Sequence, residues 1–308
     1  MDEIKKIPVT RSAFIALLGR PNAGKSTLLN TLLGEKVAIV SPKPQTTRSR
    51  ITGVLTENGS QMIFVDTPGV HRSRNKLGEF MNETVQRTIR DVDIAVMVVD
   101  GSQTKSDQHD EELLHELKGQ RIPVLLVLNK TDLLADQSVL LSRVASLSRL
   151  CDFAAVVPLS ALTGDNVAIL KEELLKLLPE GPALFPEDTL TDQPERTLVA
   201  ELIREKLLYA LDDELPHGIG VVIEQMKERD TSDFVDINAT IFCEKQSHKG
   251  MIIGKEGTVL KKVGTLARRD IEYLLDCRVN LKLWVKVKED WRNRDGALRE
   301  MGYVKIKE

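Results

Sequence analysis

The chain is short of cysteine, of aromatic residues and of long apolar runs, and each shortage closes off a class of protein. Three cysteines in 308 residues, Cys151, Cys243 and Cys277, lie far apart and fit no metal-ligand spacing. So sparse and odd a count argues against a disulfide scaffold and for a reducing compartment. The longest apolar runs, such as Ile94–Val99 and Val124–Leu128, are strand-sized, far below the ~20 residues that span a bilayer. The opening Met-Asp-Glu-Ile-Lys-Lys is polar and has no signal-peptide core. A cytoplasmic protein is expected, with peripheral attachment to a membrane as the one membrane role left open. The net charge is only −3, so the average says nothing of nucleic acid.

What is present is unevenly distributed. Residues 245–308 hold 16 Lys and Arg against nine Asp and Glu. A basic C-terminal quarter on an acidic body suggests a polyanion partner at that end, although a solvated charged surface reads the same way. The length fits about two domains. Residues 12–178 alternate short apolar runs, at 12–18, 50–57, 61–66, 94–100, 123–129 and 155–160, with amphipathic stretches at 25–33, 76–90, 106–118, 137–150 and 166–178. This alternation predicts an α/β doubly wound sheet of six mostly parallel strands. Asn58-Gly59-Ser60 between the second and third strands predicts one antiparallel hairpin at its edge. Four prolines in residues 179–194 prevent a regular element there. Beyond them the order becomes α-β-β-α-α-β: a helix at 195–211, strands at 219–226 and 234–244, helical sequence to about 276, and a strand at 279–288. The expected domains are 1–180, a linker at 181–194, an α+β domain at 195–290 and a C-terminal tail at 291–308.

The first domain carries a nucleotide site spread over five segments. Gly19-Arg20-Pro21-Asn22-Ala23-Gly24-Lys25-Ser26, continued by Thr27, matches G-x-x-x-x-G-K-[ST] between a strand and a helix. Its backbone N–H groups and the helix N-terminus face the phosphates, Lys25 adds a point charge at the β/γ-phosphates, and Ser26 offers a hydroxyl to Mg²⁺. Asp66-Thr67-Pro68-Gly69 ends the third strand, where a carboxylate can hold Mg²⁺ and the Gly69 N–H can reach the γ-phosphate. Asn129-Lys130-Thr131-Asp132 ends the fifth strand and chooses the base. The Asp132 carboxylate can accept from guanine N1–H and the 2-amino group, whereas adenine would leave it unpaired. Asn129 ties the base edge to the P-loop, and the Lys130 stem covers the ring. Ser160-Ala161-Leu162 supplies a backbone N–H for guanine O6. Gln45-Thr46-Thr47-Arg48 is the switch segment, with Thr47 the preferred Mg²⁺ ligand and Thr46 the alternative. Lys25, Thr47 and Gly69 then act on the reacting phosphates. Val70 stands directly after Asp-x-x-Gly, where Ras-like enzymes place a water-orienting glutamine, so slow intrinsic turnover is expected. Asn22 resembles the asparagine that binds K⁺ in several bacterial GTPases, where the ion serves catalysis.

In the second domain, Ile253-Gly254-Lys255-Glu256-Gly257 opens a helix and resembles the Gly-x-x-Gly loop of a type 2 KH domain. Such a loop approaches the backbone of about four nucleotides. Lys261, Lys262, Arg268 and Arg269 flank it, with His248 and Lys249 just ahead. Lys282, Trp284, Lys286 and Lys288 alternate along the last strand and could extend an RNA track or simply block edge pairing; Trp291-Arg-Asn-Arg is a further candidate.

A G domain followed by a type 2 KH domain resembles the Era family of bacterial GTPases. The resemblance rests on Gly19–Thr27, Gln45–Arg48, Asp66–Gly69, Asn129–Asp132, Ser160–Leu162 and Gly254–Gly257 in order, and covers nearly the whole chain. It implies a GTPase of small (30S) ribosomal subunit biogenesis that binds the 3′ end of 16S rRNA, is stimulated by RNA, associates peripherally with the inner membrane face and influences the cell cycle; no DNA partner is implied, and stimulation by K⁺ is expected from Asn22. Rival readings are a nucleotide-switched RNA-binding module with negligible hydrolysis and a P-loop kinase, which Asn129–Asp132 opposes.

Overall fold

The computed structural model describes residues 8–70, 73–103, 108–134, 136, 138–212, 215–229 and 232–303. They form two compact units, one drawn from residues 8–38, 47–70 and 81–192, the other from 39–46, 73–80 and 193–303. Two short segments expected in the first domain therefore pack with the second unit. The proline-rich segment up to Asp192 belongs with the first. There the Val54 N–H donates to Leu190 O at 2.8 Å, the Gln61 side chain grips Leu184 and Phe185, and Thr191 donates to Thr52 O at 2.6 Å. The prolines do exclude regular structure, but this stretch covers the edge strand and is not a free tether.

The first unit is a six-stranded sheet in the order β2-β3-β1-β4-β5-β6. Its strands are β1 (Arg11–Leu18), β2 (Ile51–Glu57), β3 (Ser60–Asp66), β4 (Ile94–Asp100), β5 (Val124–Asn129) and β6 (Ala155–Pro158). Only β2–β3 is antiparallel, closed by Asn58 and Gly59 at φ 51° and 72°, the left-handed pair that a tight hairpin requires. Every residue of β3, β4 and β5 is buried, because helices cover both faces: α1 (Lys25–Leu33), α2 (Lys76–Asp91), α3 (Gln108–Lys118), α4 (Ser138–Leu147) and α5 (Val167–Leu177). Two separate apolar clusters, one around Ile15, Phe64 and Val96 and one around Leu18, Met97 and Leu126, fill the two sides. Helix α4 stops before residue 150, where its end tightens into a turn with Leu150 N–H donating to Leu147 O. The expected last residues of β6 leave the ladder, and Ser160 N–H bonds Asp165 O instead. The expected helix starts at 106–107 and 137 lie outside the described residues.

The second unit contains α6 (Glu195–Ala210), β7 (Gly220–Arg229), β8 (Ser232–Cys243), α7 (Gln246–Ile253), α8 (Thr258–Leu275), β9 (Arg278–Val287) and α9 (Asp295–Glu300). The sheet order is β7-β8-β9, with β7–β8 antiparallel and β8–β9 parallel. The inward residues of β8, Ile237, Ala239 and Ile241, pack on Val199, Ile203 and Leu207 of α6 and Val263, Ala267 and Ile271 of α8. In the expected C-terminal tail, the described residues from Trp291 to Tyr303 are packed. Trp291 is fully buried and donates its Nε1–H to Gly218 O at 2.9 Å, and its ring stacks on Tyr303. Among the described residues no helix is long and apolar enough to cross a membrane.

Candidate nucleotide and RNA sites

The nucleotide site forms where the carboxyl ends of β1, β3 and β5 meet the start of α1, as a doubly wound sheet dictates. Gly24 is forced. At φ 98° its backbone is left-handed, and an added Cβ would lie 2.1 Å from Asn129 Nδ2. The close approach is functional, because Asn129 Nδ2 donates to Ala23 O at 2.8 Å while its Oδ1 accepts from the Ala161 N–H at 2.9 Å. One buried amide thus locks the P-loop, the base-reading loop and the Ser160–Leu162 loop together. Asp132 Oδ1 accepts from Ser160 Oγ at 2.6 Å, and Asp132 itself is exposed. Lys130 Nζ pairs with Asp100 Oδ2 at 2.7 Å. Burial acts to raise the Asp100 pKa, but hydrogen bonds from Lys130 and Ser102 outweigh it and hold the carboxyl below its usual range.

Lys25 is buried and donates from Nζ to Gly19 O at 3.0 Å and Arg20 O at 2.9 Å. Burial lowers its pKa to about 8, against the attraction of Asp66 and Asp110. Ser26 Oγ lies 2.6 Å from Asp66 Oδ2 and 2.8 Å from Thr47 Oγ1, and Thr47 Oγ1 is 3.4 Å from the same carboxylate. These three oxygens converge on one point. Asp66 is fully buried, its pKa is raised by that burial despite Lys25 and the hydroxyl bonds, and its Oδ1 has no hydrogen-bond partner. A hard divalent cation suits a buried carboxylate with a spare oxygen beside two hydroxyls. Thr46 faces elsewhere: its Oγ1 donates to Lys43 O at 2.6 Å and pairs with Ser41 Oγ at 2.8 Å.

Gly69 closes on Pro21 of the P-loop, and Thr67 Oγ1 donates to Leu17 O at 2.8 Å. Val70 is half-buried against the α2–α3 side of the core. Asn22 is exposed at φ 62°. Arg20 turns from the phosphate cradle to Gln103 (2.6 Å) and Asp110 (3.5 Å), the latter also 3.8 Å from Arg143. Asp100 and Asp110 were not singled out from sequence. Asp100 had a signal, an acid at the carboxyl end of a parallel strand; Asp110, on α3, had none.

In the second unit, Gly254 ends α7 at φ 75°, ψ 172°, a conformation open to glycine alone, and an added Cβ would meet Val259 Cγ2 at 2.5 Å. Lys255 and Glu256 are exposed, with Glu256 itself left-handed. Ile253 is half-buried on the core. A groove of about 370 Å³ runs from Gly257 along α8 and β9, with Leu260, Leu281 and Leu283 as its apolar floor and Lys261 and Arg268 at its rim. Lys262 is exposed but does not line this groove, one helical step round from Lys261. Arg269 reaches Asp270 (3.8 Å) instead. Of the candidate contacts at 291–294, Asn293 and Arg294 are exposed and two are engaged within the fold. Trp291 is core, and Arg292 is tied to Glu244 Oε2 at 2.6 Å. Lys288 is likewise engaged, by Glu300 and the Phe242 ring.

Comparison with known proteins finds both domains. Residues 14–130 match the family model described as 50S ribosome-binding GTPase, and residues 214–292 match the KH domain model. The chain is 50% identical over 293 residues to "GTPase Era" of Ruminiclostridium cellulolyticum, covering 95% of this chain and 97% of that one. It is 50% identical to the Caldanaerobacter subterraneus protein of the same name, covering 96% and 98%. A crystal structure of Era in complex with MgGDPNP and nucleotides 1506–1542 of 16S ribosomal RNA superposes with TM-score 0.91 at 38% identity, covering 96% of this chain and 99% of that one. An Aquifex aeolicus Era variant bound to GDP·AlF4⁻ gives the same TM-score and identity, covering 95% and 99%. With half its residues shared along almost its entire length, and both domains in place, the chain belongs to the Era family of GTPases.

Proposed function

We propose that this chain binds and hydrolyses GTP, and binds the 3′ end of 16S rRNA through its KH unit, in assembly of the small ribosomal subunit. The observation that carries the reading is the Asn129 amide, which ties Ala161 to the P-loop at Ala23 while Ser160 of the same loop holds Asp132. Asp132 takes the guanine N1–H and 2-amino group, and the Ala161 region meets O6. Lys25, now bonded to loop carbonyls, transfers its ammonium to the β/γ-phosphate oxygens. Ser26, Thr47 and Asp66 would hold Mg²⁺, which neutralises charge developing on the phosphates. Gly69 offers its N–H to the γ-phosphate. The Val70 side chain has no polar atom to orient water, so unaided turnover is slow, and a K⁺ held near Asn22 and bound RNA are the proposed accelerators. Partner and location follow the family: the 30S subunit, the cytoplasm, and peripheral association with the inner membrane face.

The test is phosphate release from GTP in K⁺ buffer, with and without an oligoribonucleotide of the 16S 3′ end. Slow release that rises with RNA is expected. A chain that ignores GTP, or takes ATP equally well, overturns the reading; GTP binding with no hydrolysis under either condition leaves only the switched RNA-binding module.

A further inference from the structure

We propose that the exposed β9 margin of the second unit's sheet, centred on Trp284, is a second contact for single-stranded RNA. Bases leaving the Gly-x-x-Gly groove cross the β9 edge, and one stacks on this indole. The inference rests on the reading that the groove binds RNA.

Strand β9 is the sheet edge and pairs only with β8. Side chains alternate along it, so Leu281 and Leu283 line the groove while Lys282, Trp284 and Lys286 belong to the opposite face. The two surfaces are therefore one residue apart on the same strand. Trp284 is 60% exposed, whereas the chain's other tryptophan, Trp291, is 0% exposed with its N–H satisfied. A tryptophan left this open calls for a partner, and flat aromatic groups beside cations are the general platform for unpaired bases. Trp284 sits opposite Thr240, so no bulky cross-strand neighbour stands over it in register.

The surrounding charge selects the occupant. Lys282 and Lys286 flank Trp284 on both sides, each about 7 Å away along the strand; neither makes an ion pair within 4.0 Å among the described residues, and Lys282 is attracted at longer range by Asp236. The acid of this face, Asp236, is already held by Arg229 at 2.6 Å and Asn280 at 2.7 Å, which keeps its carboxyl well below the usual range. Edge protection accounts for lysines at these positions. It does not account for the exposed indole between them. A polyanion with π-faces fits both features.

The experiment uses the full chain and two RNAs: a tetranucleotide, long enough for the groove alone, and a strand of about ten nucleotides. Trp284→Ala is expected to weaken the longer RNA by about 5- to 100-fold and leave the tetranucleotide unchanged, with Trp284→Phe close to the parent. Only the longer RNA should quench the exposed tryptophan's fluorescence, and that quenching should vanish in Trp284→Phe, where Trp291 is the sole reporter. Lys282→Gln and Lys286→Gln should each lower the salt slope by about one. Unchanged affinity of Trp284→Ala for the longer RNA, while Gly254→Asp abolishes both complexes, overturns this proposal and leaves the groove reading intact. Unchanged RNA binding with a shift from dimer to monomer assigns the face to self-association instead. If Gly254→Asp still binds the tetranucleotide, the groove reading itself has failed.

Discussion

Ser160 donates its hydroxyl proton to Asp132 Oδ1 at 2.6 Å, joining the loop after β6 to the loop after β5. The same Ser160 oxygen accepts from the Thr163 N–H at 3.2 Å. The carboxylate is thereby aimed, through a fully buried serine, before any base arrives. The second carboxylate oxygen and the spare lone pairs of the first remain able to accept further hydrogen bonds, as the proposed guanine contact requires.

Base choice should therefore invert with one atom. Asp132→Asn replaces an acceptor with a donor, which guanine's 2-amino group cannot use but a 2-oxo group can. Each charged hydrogen bond lost costs about 1.5–3 kcal/mol. GTP affinity should fall about 100-fold or more, and xanthosine triphosphate should bind better than GTP. Competition between the two nucleotides measures it; an unchanged preference for GTP would show that another group reads the base.

The two switch threonines should separate cleanly. Thr47 shares its hydroxyl with Ser26 and Asp66, while Thr46 spends its own on Ser41 and Lys43 O. Thr47→Ala should reduce Mg²⁺-dependent affinity for a GTP analogue by about tenfold, as one ligand oxygen is lost, and leave GDP binding as it was. Thr46→Ala should alter neither by more than about twofold. Titrations with both nucleotides decide it, and the reverse pattern reassigns the ligand to Thr46.

Lys25 makes nucleotide affinity pH-dependent in a stated direction. In the free protein burial holds its pKa at about 8. An adjacent polyphosphate favours the charged form and raises it. Binding should take up close to one proton above pH 8, and GTP affinity should fall as pH rises beyond that value, with no effect from this group at pH 7. Folding stability of the free protein moves the other way. The unfolded chain holds this proton more tightly, so the cost of burying it is fully present below about pH 8 and fades as pH climbs towards the ordinary lysine value. Calorimetry in buffers of different ionisation enthalpy gives the proton count; zero uptake at pH 9 would exclude Lys25 as the titrating contact.

Much of this was legible in the sequence because the phosphate and base contacts are backbone geometry plus a few invariant chemistries. The motif residues of the nucleotide site need glycine, lysine, hydroxyl and carboxylate at fixed spacing, and strand–helix alternation told where they would meet. The choice between Thr46 and Thr47 was not legible, since adjacent residues differ only in which way the chain turns. Nor was the burial of Trp291, because an aromatic amid charges reads the same whether it faces solvent or Gly218. The packing of Ile39–Thr46 with the second unit was hidden for a related reason. Its anchors, Arg204 and Glu205, sit over 150 residues away, and distance along the chain carries no local signal.

That packing supports a coupling prediction. Within the second unit Arg204 donates to Thr46 O, and Glu205 Oε1 accepts from the Val40 N–H at 3.0 Å. Thr46 is bonded directly to Thr47, whose hydroxyl belongs to the proposed Mg²⁺ set. Arg204→Ala should bring the ratio of RNA affinities in the GTP-analogue and GDP states towards one, from a starting coupling of about 5- to 150-fold. Arg204 is 1% exposed, and removing it strands Glu201, so stability should also drop by about 3 kcal/mol. Arg204→Lys, which keeps the charge but not the planar fork, separates the two effects. Full coupling retained in a folded Arg204→Ala protein would falsify this link.

Catalysis itself depends on what replaces the missing glutamine. Val70 is half-buried on the core, and its methyl groups cannot polarise water. Asn22 stands exposed in the left-handed region of the P-loop, at φ 62°, with its side-chain oxygen on the same loop whose N–H groups face the phosphates. A monovalent cation held there would supply positive charge to the reacting phosphates, the role an arginine finger serves in other enzymes. Hydrolysis should therefore be at least tenfold faster in K⁺ than in Na⁺ at equal ionic strength. Asn22→Ala should remove that difference while leaving GTP affinity within about threefold, because the amide contributes to the transition state more than to binding. Val70→Gln should partly restore rate in Na⁺. Equal rates in the two salts would turn the search to a group supplied by the bound RNA.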